Sequence, residues 1–241
     1  MSEVFLISGH GAGDPGATSV IDGVAYREAV EAEALVKKIA ESLKAYNCVV
    51  NCYPFERDAY KDCLAGAFSV PGNPALAVEI HFNAFKADAG DGKAKGCEAY
   101  YAAVADEDVS DKLAIAVCKA SDLPKRETQY GNFAVIRRLA AAGVPAVLLE
   151  VCFLDDGDDM RRYLLRRDAI AEKLAEEIAM IIGAGKRQST ADGCDDWAAD
   201  ACRWAVEQGL FRGDGESMRW REPLTRQEMA VVLQRLAGNA T

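Results

Sequence analysis

The chain contains two histidines, His10 and His81. His10 comes just after the apolar run of residues 4–7, and His81 ends the run AVEIH, so each stands at the carboxyl end of an expected strand. In a parallel sheet those ends share one side, where open α/β folds form their clefts. A lone histidine is most often a satisfied structural residue. Two histidines, alike in placement and both beside polar residues, point instead to a shared site. Imidazole is the commonest metal ligand, and two imidazoles with one carboxylate would make a catalytic zinc site with an open position. Four glutamates compete for the carboxylate place. Glu28 opens an expected helix, Glu31 and Glu33 lie further into it, and Glu79 precedes His81 on the same strand face but deeper in the sheet. Spacing alone leaves this choice open.

A further carboxylate, Glu150, lies in the otherwise apolar run VPAVLLEV. Placing a carboxylate in a buried strand is costly unless it is paired or used. A structural solution would be an ion pair with Arg137 or Arg138. A functional one would be a general base acting on a water at the metal.

The elements that must position these residues follow from periodicity. Strands are expected at residues 4–8, 48–53, 77–82, 98–101 and 146–151, with a weaker candidate at 133–136. Helices are expected at 28–45, 108–120 and 166–182. In the first helix Leu35, Ile39 and Leu43 form one apolar stripe, and in the last Ile170, Leu174, Ile178 and Ile181 do the same. Strands alternating with helices of this length predict an α/β fold with a largely parallel sheet. Residues 1–182 form this domain. Residues 183–193, small and polar, read as a linker. Residues 194–241 read as a small helix–loop–helix module, with Gly209 capping the first helix and Thr225 and Glu228 forming a capping box at the second. A unit of this size buries little core, so it is expected to pack on a partner or on copies of itself.

Composition excludes several classes. Acidic residues outnumber basic ones, 38 to 28, for a net charge of -10, which argues against nucleic acid as a partner. Almost all of that charge belongs to the first domain. No apolar run approaches the ~18 residues of a membrane span. The start, MSEVFLISG, has no basic segment ahead of its apolar run, so no cleavable signal peptide is expected. The eight cysteines contain no CxxC. Cys48 and Cys52 are expected about 13 Å apart on one strand, and Cys194 and Cys202 about 12 Å apart on one helix, beyond disulfide reach. They read as small thiols made in a reducing compartment.

Four segments together resemble the zinc N-acetylmuramoyl-L-alanine amidases of bacterial autolysins and phage endolysins: SGHGAGDPGA, DGVAYREAVEAEALVKKIAESL, EIHFNA and VPAVLLEVCFLDD, with KGCEAYYA matching a further strand. The resemblance spans about residues 4–182. It implies a twisted sheet of about six strands flanked by helices and one Zn2+ per chain held by His10, Glu28 and His81. Glu150 becomes the catalytic carboxylate, and Asn83 stands beside the site. Leu35 and Ile39 favour Glu28 over its neighbours in this alignment. The implied reaction is hydrolysis of the amide between the lactyl group of N-acetylmuramic acid and L-alanine of the stem peptide. The alternatives are a catalytically inactive wall-binding protein and a zinc peptidase cutting within the stem peptide.

The tail, DWAADACRWAVEQGLFRGDG followed by LTRQEMAVVLQRLAG, resembles a single S-layer homology repeat. That implies a wall-binding module in which Trp220, Arg226 and Trp204 could meet a polymer, with Arg219 and Arg221 nearby; Trp197 and Trp204 could equally be core. The expected partners are therefore peptidoglycan and a secondary cell-wall polymer, with homo-oligomerisation through the tail. The expected setting is an endolysin made in the cytoplasm that reaches the wall after holin-mediated release.

Overall fold

The computed structural model describes residues 1–11, 13–186, 193–214 and 217–238. They fall into two compact units, Met1–Lys186 and Arg187–Thr241. In chain order the first unit comprises β1 (Ser2–Ser8), β2 (Thr18–Ile21), β3 (Val24–Arg27), α1 (Glu28–Leu43), β4 (Cys48–Cys52), α2 (Ala59–Leu64), β5 (Leu76–Asn83), β6 (Cys97–Tyr101), α3 (Glu107–Ser121), β7 (Lys125–Tyr130), α4 (Ala134–Ala141), β8 (Ala146–Phe153) and α5 (Gly157–Ile181).

Six strands form one sheet in the order β4-β1-β5-β8-β6-β7. The first four run parallel, β6 runs antiparallel to β8, and β7 runs parallel to β6. The central strands are nearly continuous apolar runs because both faces of the sheet are covered. On one face Val4, Leu6, Val78, Ile80, Val147 and Leu149 pack beneath α1, α3 and α5. On the other, Phe5, Ile7, Ala77 and Leu148 pack beneath α2 and α4 through Ala59, Val135, Ile136 and Leu139. Those two helices are only 6 and 8 residues long. They cover part of their face, and the same rows of side chains continue past them as Glu79, His81 and Glu150, since alternate strand residues share a face.

Residues 133–136, expected as the sixth strand, instead lead into α4, where Val135, Ile136 and Leu139 recur at helical spacing. The sixth strand is β7, KRETQY, a polar strand at the sheet edge that needs no apolar alternation. The last helix begins at Gly157, well before residue 166. Asp156 caps it by accepting from the Asp158 and Asp159 N–H groups, both at 3.0 Å, and the added turns bury Met160 and Tyr163. The β2–β3 hairpin was not expected. Its two-residue turn, Asp22 (φ 52°) and Gly23 (φ 80°), has the left-handed dihedrals of a type I′ turn.

The first unit extends through Lys186. Ser2 Oγ donates to the Ile182 carbonyl at 2.9 Å, Asn47 N–H to the Gly185 carbonyl at 2.9 Å, and Ala184 is buried. Residues 183–186 therefore belong to this unit and not to a linker, while residues 187–192 of the expected linker lie outside the described residues.

The second unit contains α6 (Ala199–Glu207) and α7 (Arg226–Gly238). Gly209 (φ 67°) closes α6, and Leu210 N–H donates to the Ala205 carbonyl at 2.8 Å. The capping box forms: Glu228 N–H donates to Thr225 Oγ1 at 3.2 Å, and Thr225 N–H to Glu228 Oε2 at 2.8 Å. Cys194 lies ahead of the helix, not on it; burial and the neighbouring Cys194 raise the Cys202 thiol. All eight cysteines are free thiols. Among the described residues no helix is long and apolar enough to cross a membrane.

Candidate metal centre

His10 sits in the loop after β1 with φ 63°. Such a backbone persists for a non-glycine residue only where its surroundings fix it. Gly9 N–H donates to the Ile80 carbonyl at 2.8 Å, and Gly11 and Asp14 exchange backbone hydrogen bonds at 3.0 and 2.9 Å. Gly9 lies against the His81 ring, and a Cβ there would collide with it. Glu28 is the first residue of α1, where a helix favours a carboxylate. Its Oε2 accepts from Ala17 N–H at 2.9 Å and its Oε1 from Phe82 N–H at 3.1 Å, so the β2–β3 hairpin and β5 together hold it over the sheet end.

The three side chains converge. His10 Nε2 lies 3.1 Å from Glu28 Oε2, and His81 Nδ1 lies 2.9 Å from Glu28 Oε1. The imidazole rings stand edge to face with centroids 5.1 Å apart. One ligand atom from each residue lies within 4.8 Å of the others. The second nitrogen of each ring faces a carboxylate: His10 Nδ1 is 3.3 Å from Asp14 Oδ2, and His81 Nε2 is 3.3 Å from Glu79 Oε1. This carboxylate–histidine pairing orients metal-binding imidazoles and raises their basicity. The donor set thus fits a divalent cation of the zinc type.

Of the competing glutamates, two are placed apart from this cluster and the third backs His81. Glu31 faces α5, bonded to Tyr163 at 3.2 Å and Arg167 at 3.4 Å. Glu33 pairs with Lys37 on the exposed side of α1. Glu79 is buried behind His81.

Glu150 stands in register with His81 across β5 and β8. No arginine pairs with it among the described residues, and its buried Oε2 has no hydrogen-bond partner. Burial pushes its carboxyl up to about 7; His81 opposes that shift, and the carboxylates of Glu28, Glu98 and Glu79 add to it. Glu28 moves the other way. Burial works against its ionisation, but hydrogen bonds with His10 and His81 outweigh it and hold the group well below the usual carboxylate range. The hydrogen bond to Glu28 raises His10 against the opposing effect of burial. His81 is raised well above its ordinary value because Glu28 and Glu79 overcome its desolvation. A cluster with more negative than positive groups, holding protons to compensate, is what a cation would replace.

These residues line a cleft of about 630 Å³ with Asp14, Tyr60, Leu64, Asn83, Asn132, Phe133 and Arg137. Arg137 is the one lysine or arginine on its wall among the described residues, and its guanidinium donates only to Asn132 Oδ1, at 3.1 Å. Sequence reasoning missed Asp14 as a partner of His10. The G-D-P turn four residues after the histidine was the available signal. It also missed Arg137 as a cleft residue, because a misplaced strand hid its helix.

Residues 4–184 match the family described as N-acetylmuramoyl-L-alanine amidase. The chain belongs to that family. The amidase domain superposes on an N-acetylmuramoyl-L-alanine amidase from Clostridium difficile 630 with a TM-score of 0.62 at 22% identity, covering 76% of this chain and 97% of that one. The catalytic domain of CwlV, an N-acetylmuramoyl-L-alanine amidase from Bacillus (Paenibacillus) polymyxa, gives 0.58 at 25% identity, covering 76% and 99%. The catalytic domain of the CD27L endolysin targeting Clostridia difficile gives 0.56 at 19% identity, covering 75% and 98%. Curated proteins give no match. In each of these three structures the coverage is nearly complete, so the amidase domain has their fold from end to end, and the second unit lies outside the family match.

In the second unit, Trp197 and Trp204 are 88% and 52% exposed, so neither is core. Trp220 is half-buried against Phe211, with centroids 5.4 Å apart. Arg219 pairs with Glu222, and Arg221 with Asp195 at 2.7 Å. Arg226 starts α7, exposed and without an ion pair among the described residues.

Proposed function

We propose that this chain is a zinc-dependent peptidoglycan hydrolase cleaving the amide between the lactyl group of N-acetylmuramic acid and L-alanine, with Glu150 as the catalytic base. The observation that carries the reading is the convergence of His10, Glu28 and His81 on one point beside an unpartnered buried glutamate, in a chain of the amidase family. Zinc held by the three side chains would activate a water and polarise the scissile carbonyl. Glu150, with one oxygen lacking a hydrogen-bond partner and a carboxyl raised to about 7, would take a proton from the attacking water and return it to the leaving alanine nitrogen. Arg137, the cation of the cleft wall, would receive a carboxylate of the stem peptide, and Asn83 would meet its backbone.

The second unit would hold the enzyme on the wall. A cavity of about 500 Å³ beside Trp220, Arg219 and Arg235 could take a polymer segment, with Arg226 exposed at the start of α7. Trp204, exposed on α6, would contribute to the same wall contact or to self-association. α7 has no buried residue, and Met229, Leu233 and Leu236 form an exposed stripe at helical spacing. That face favours a second copy of the module, giving an oligomer that grips the wall through several weak sites. Such a pairing of hydrolase and wall module suits a lytic enzyme of the endolysin type.

The test is digestion of purified walls by the zinc-loaded chain, with mass analysis of the products. Whole stem peptides released from intact glycan support the amidase; cuts within the peptide would make it a peptidase. No products from a chain that binds walls would make it an inactive wall-binding protein.

A further inference from the structure

Glu98 touches neither the candidate metal site nor Glu150 by a hydrogen bond, and acts on Glu150 only through its charge, yet it occupies a prominent position. On β6 it stands in register with Glu150 on β8, which itself stands in register with His81 on β5. Three adjacent strands thus carry His81, Glu150 and Glu98 in one row. Glu98 is buried, and both of its oxygens are engaged. Oε2 accepts from Arg126 Nε at 2.9 Å, and Oε1 accepts from Tyr100 Oη at 3.2 Å and from Asn83 Nδ2. Arg126 is itself held over the Phe153 ring, 5.1 Å from its centroid. The carboxylate is therefore fixed from three sides and its charge is balanced.

The consequence falls on Asn83, two residues beyond His81 on the same strand face. An arginine-paired carboxylate only accepts hydrogen bonds, so its contact with Asn83 determines that the amide nitrogen faces Glu98. Asn83 Oδ1 is left with no donor among the described side chains, in a residue that lines the cleft. We infer that Glu98 is a positioning residue: it locks the Asn83 amide so that Oδ1 accepts a backbone N–H from the peptide half of the substrate. A substrate whose N–H is missing at that point would leave a fixed acceptor unpaired, so the lock sets specificity for an unsubstituted peptide amide. The inference rests on the amidase reading.

The experiment uses the zinc-loaded full chain and soluble muramoyl peptides in which each peptide N–H beyond the scissile bond is N-methylated in turn. Wild type should discriminate against one analogue by about tenfold in kcat/KM, mainly through KM. Asn83→Ala should abolish that discrimination. Glu98→Gln should weaken it, and adding Glu98→Gln to Asn83→Ala should change nothing further. Melting temperature and zinc content are read on every variant. Glu98→Gln/Arg126→Gln, which leaves no unpaired charge, replaces the single variant if that one fails to fold. Additive losses, or a Glu98 variant that keeps full discrimination, would overturn the inference. A wild-type chain that leaves the unmethylated substrate intact would overturn the amidase reading itself, before any variant is compared.

Discussion

His81 and Glu150 face each other in register across two parallel strands, one hydrogen-bonded through both ring nitrogens and the other with an oxygen that has no hydrogen-bond partner among the described residues. The contrast separates their roles, a group held in place and a group left free to exchange a proton. Glu150→Gln should keep zinc and fold while lowering hydrolysis by roughly 10²–10⁴-fold. Zinc content and turnover measured on one sample check both halves. Loss of zinc would make Glu150 a ligand.

The metal should depend on its ligands and also on residues that do not touch it. His10→Ala and His81→Ala should each remove most bound zinc. Asp14→Asn and Glu79→Gln should keep the site but weaken zinc by about 10–100-fold, because each carboxylate orients one imidazole. Competition against a chromophoric chelator measures this. Unchanged affinity in both carboxylate variants would remove the orienting role.

Stability of the zinc-free chain should fall as pH rises from 5 to 8. An unfolded glutamate ionises near 4.5 and Glu150 in the fold near 7, so between those values the folded state holds the extra proton. Rising pH across that window therefore lowers stability, by on the order of 3 kcal/mol. The two histidines act in the same direction, since their folded values are raised: their contribution is complete below about 6.5 and is lost as pH passes the folded value. Glu28, held low, contributes the opposite slope only below about 4.5. At pH 8, zinc-free Glu150→Gln should melt above wild type. A lower melting temperature there would show that the ionised carboxylate is not the destabilising group. Zinc should reverse the trend, because it binds the neutral imidazoles.

Arg137→Ala should raise KM for an anionic muramoyl peptide by about tenfold with little change in kcat, as expected for one hydrogen bond to a charged group. A substrate with its peptide carboxylates amidated should be insensitive to the variant. Equal effects on both substrates would place Arg137 elsewhere in the reaction.

A chain ending at Lys186 should fold, hold zinc and cut soluble muramoyl peptide, yet lose most binding to intact walls. Light scattering should give a smaller assembly than the full chain gives. Wall binding equal to that of the full chain would end the targeting reading and leave the module as an assembly element.

The parts of this molecule that could be read from sequence are those dictated by burial. The strands carrying His10, His81 and Glu150 are apolar runs because they are central, and α1 and the later turns of α5 declare themselves by their stripes. What escaped was governed by other physics. β7 is a polar edge strand, so no alternation marks it, and α4 was too short to outweigh its β-branched start. The hairpin that seats Glu28 was signalled by Asp22-Gly23, a local turn cue and not a hydrophobic one. The His10, Glu28 and His81 cluster was reached through motif resemblance, since spacing alone left four glutamates open. Glu98 was invisible as a functional residue because its meaning lies in cross-strand register, which the linear sequence does not display.

The bond from Ser2 to Ile182, with Asn47 holding Gly185 beside the start of β4, brings the entry and exit points of the first unit together at the amino ends of its strands. The cleft opens at the carboxyl ends. This catalytic unit can therefore be grafted by both ends at once into an exposed loop of another protein. Its neighbours in such a chimera would attach on the side away from the substrate, and its specificity would travel with it unchanged.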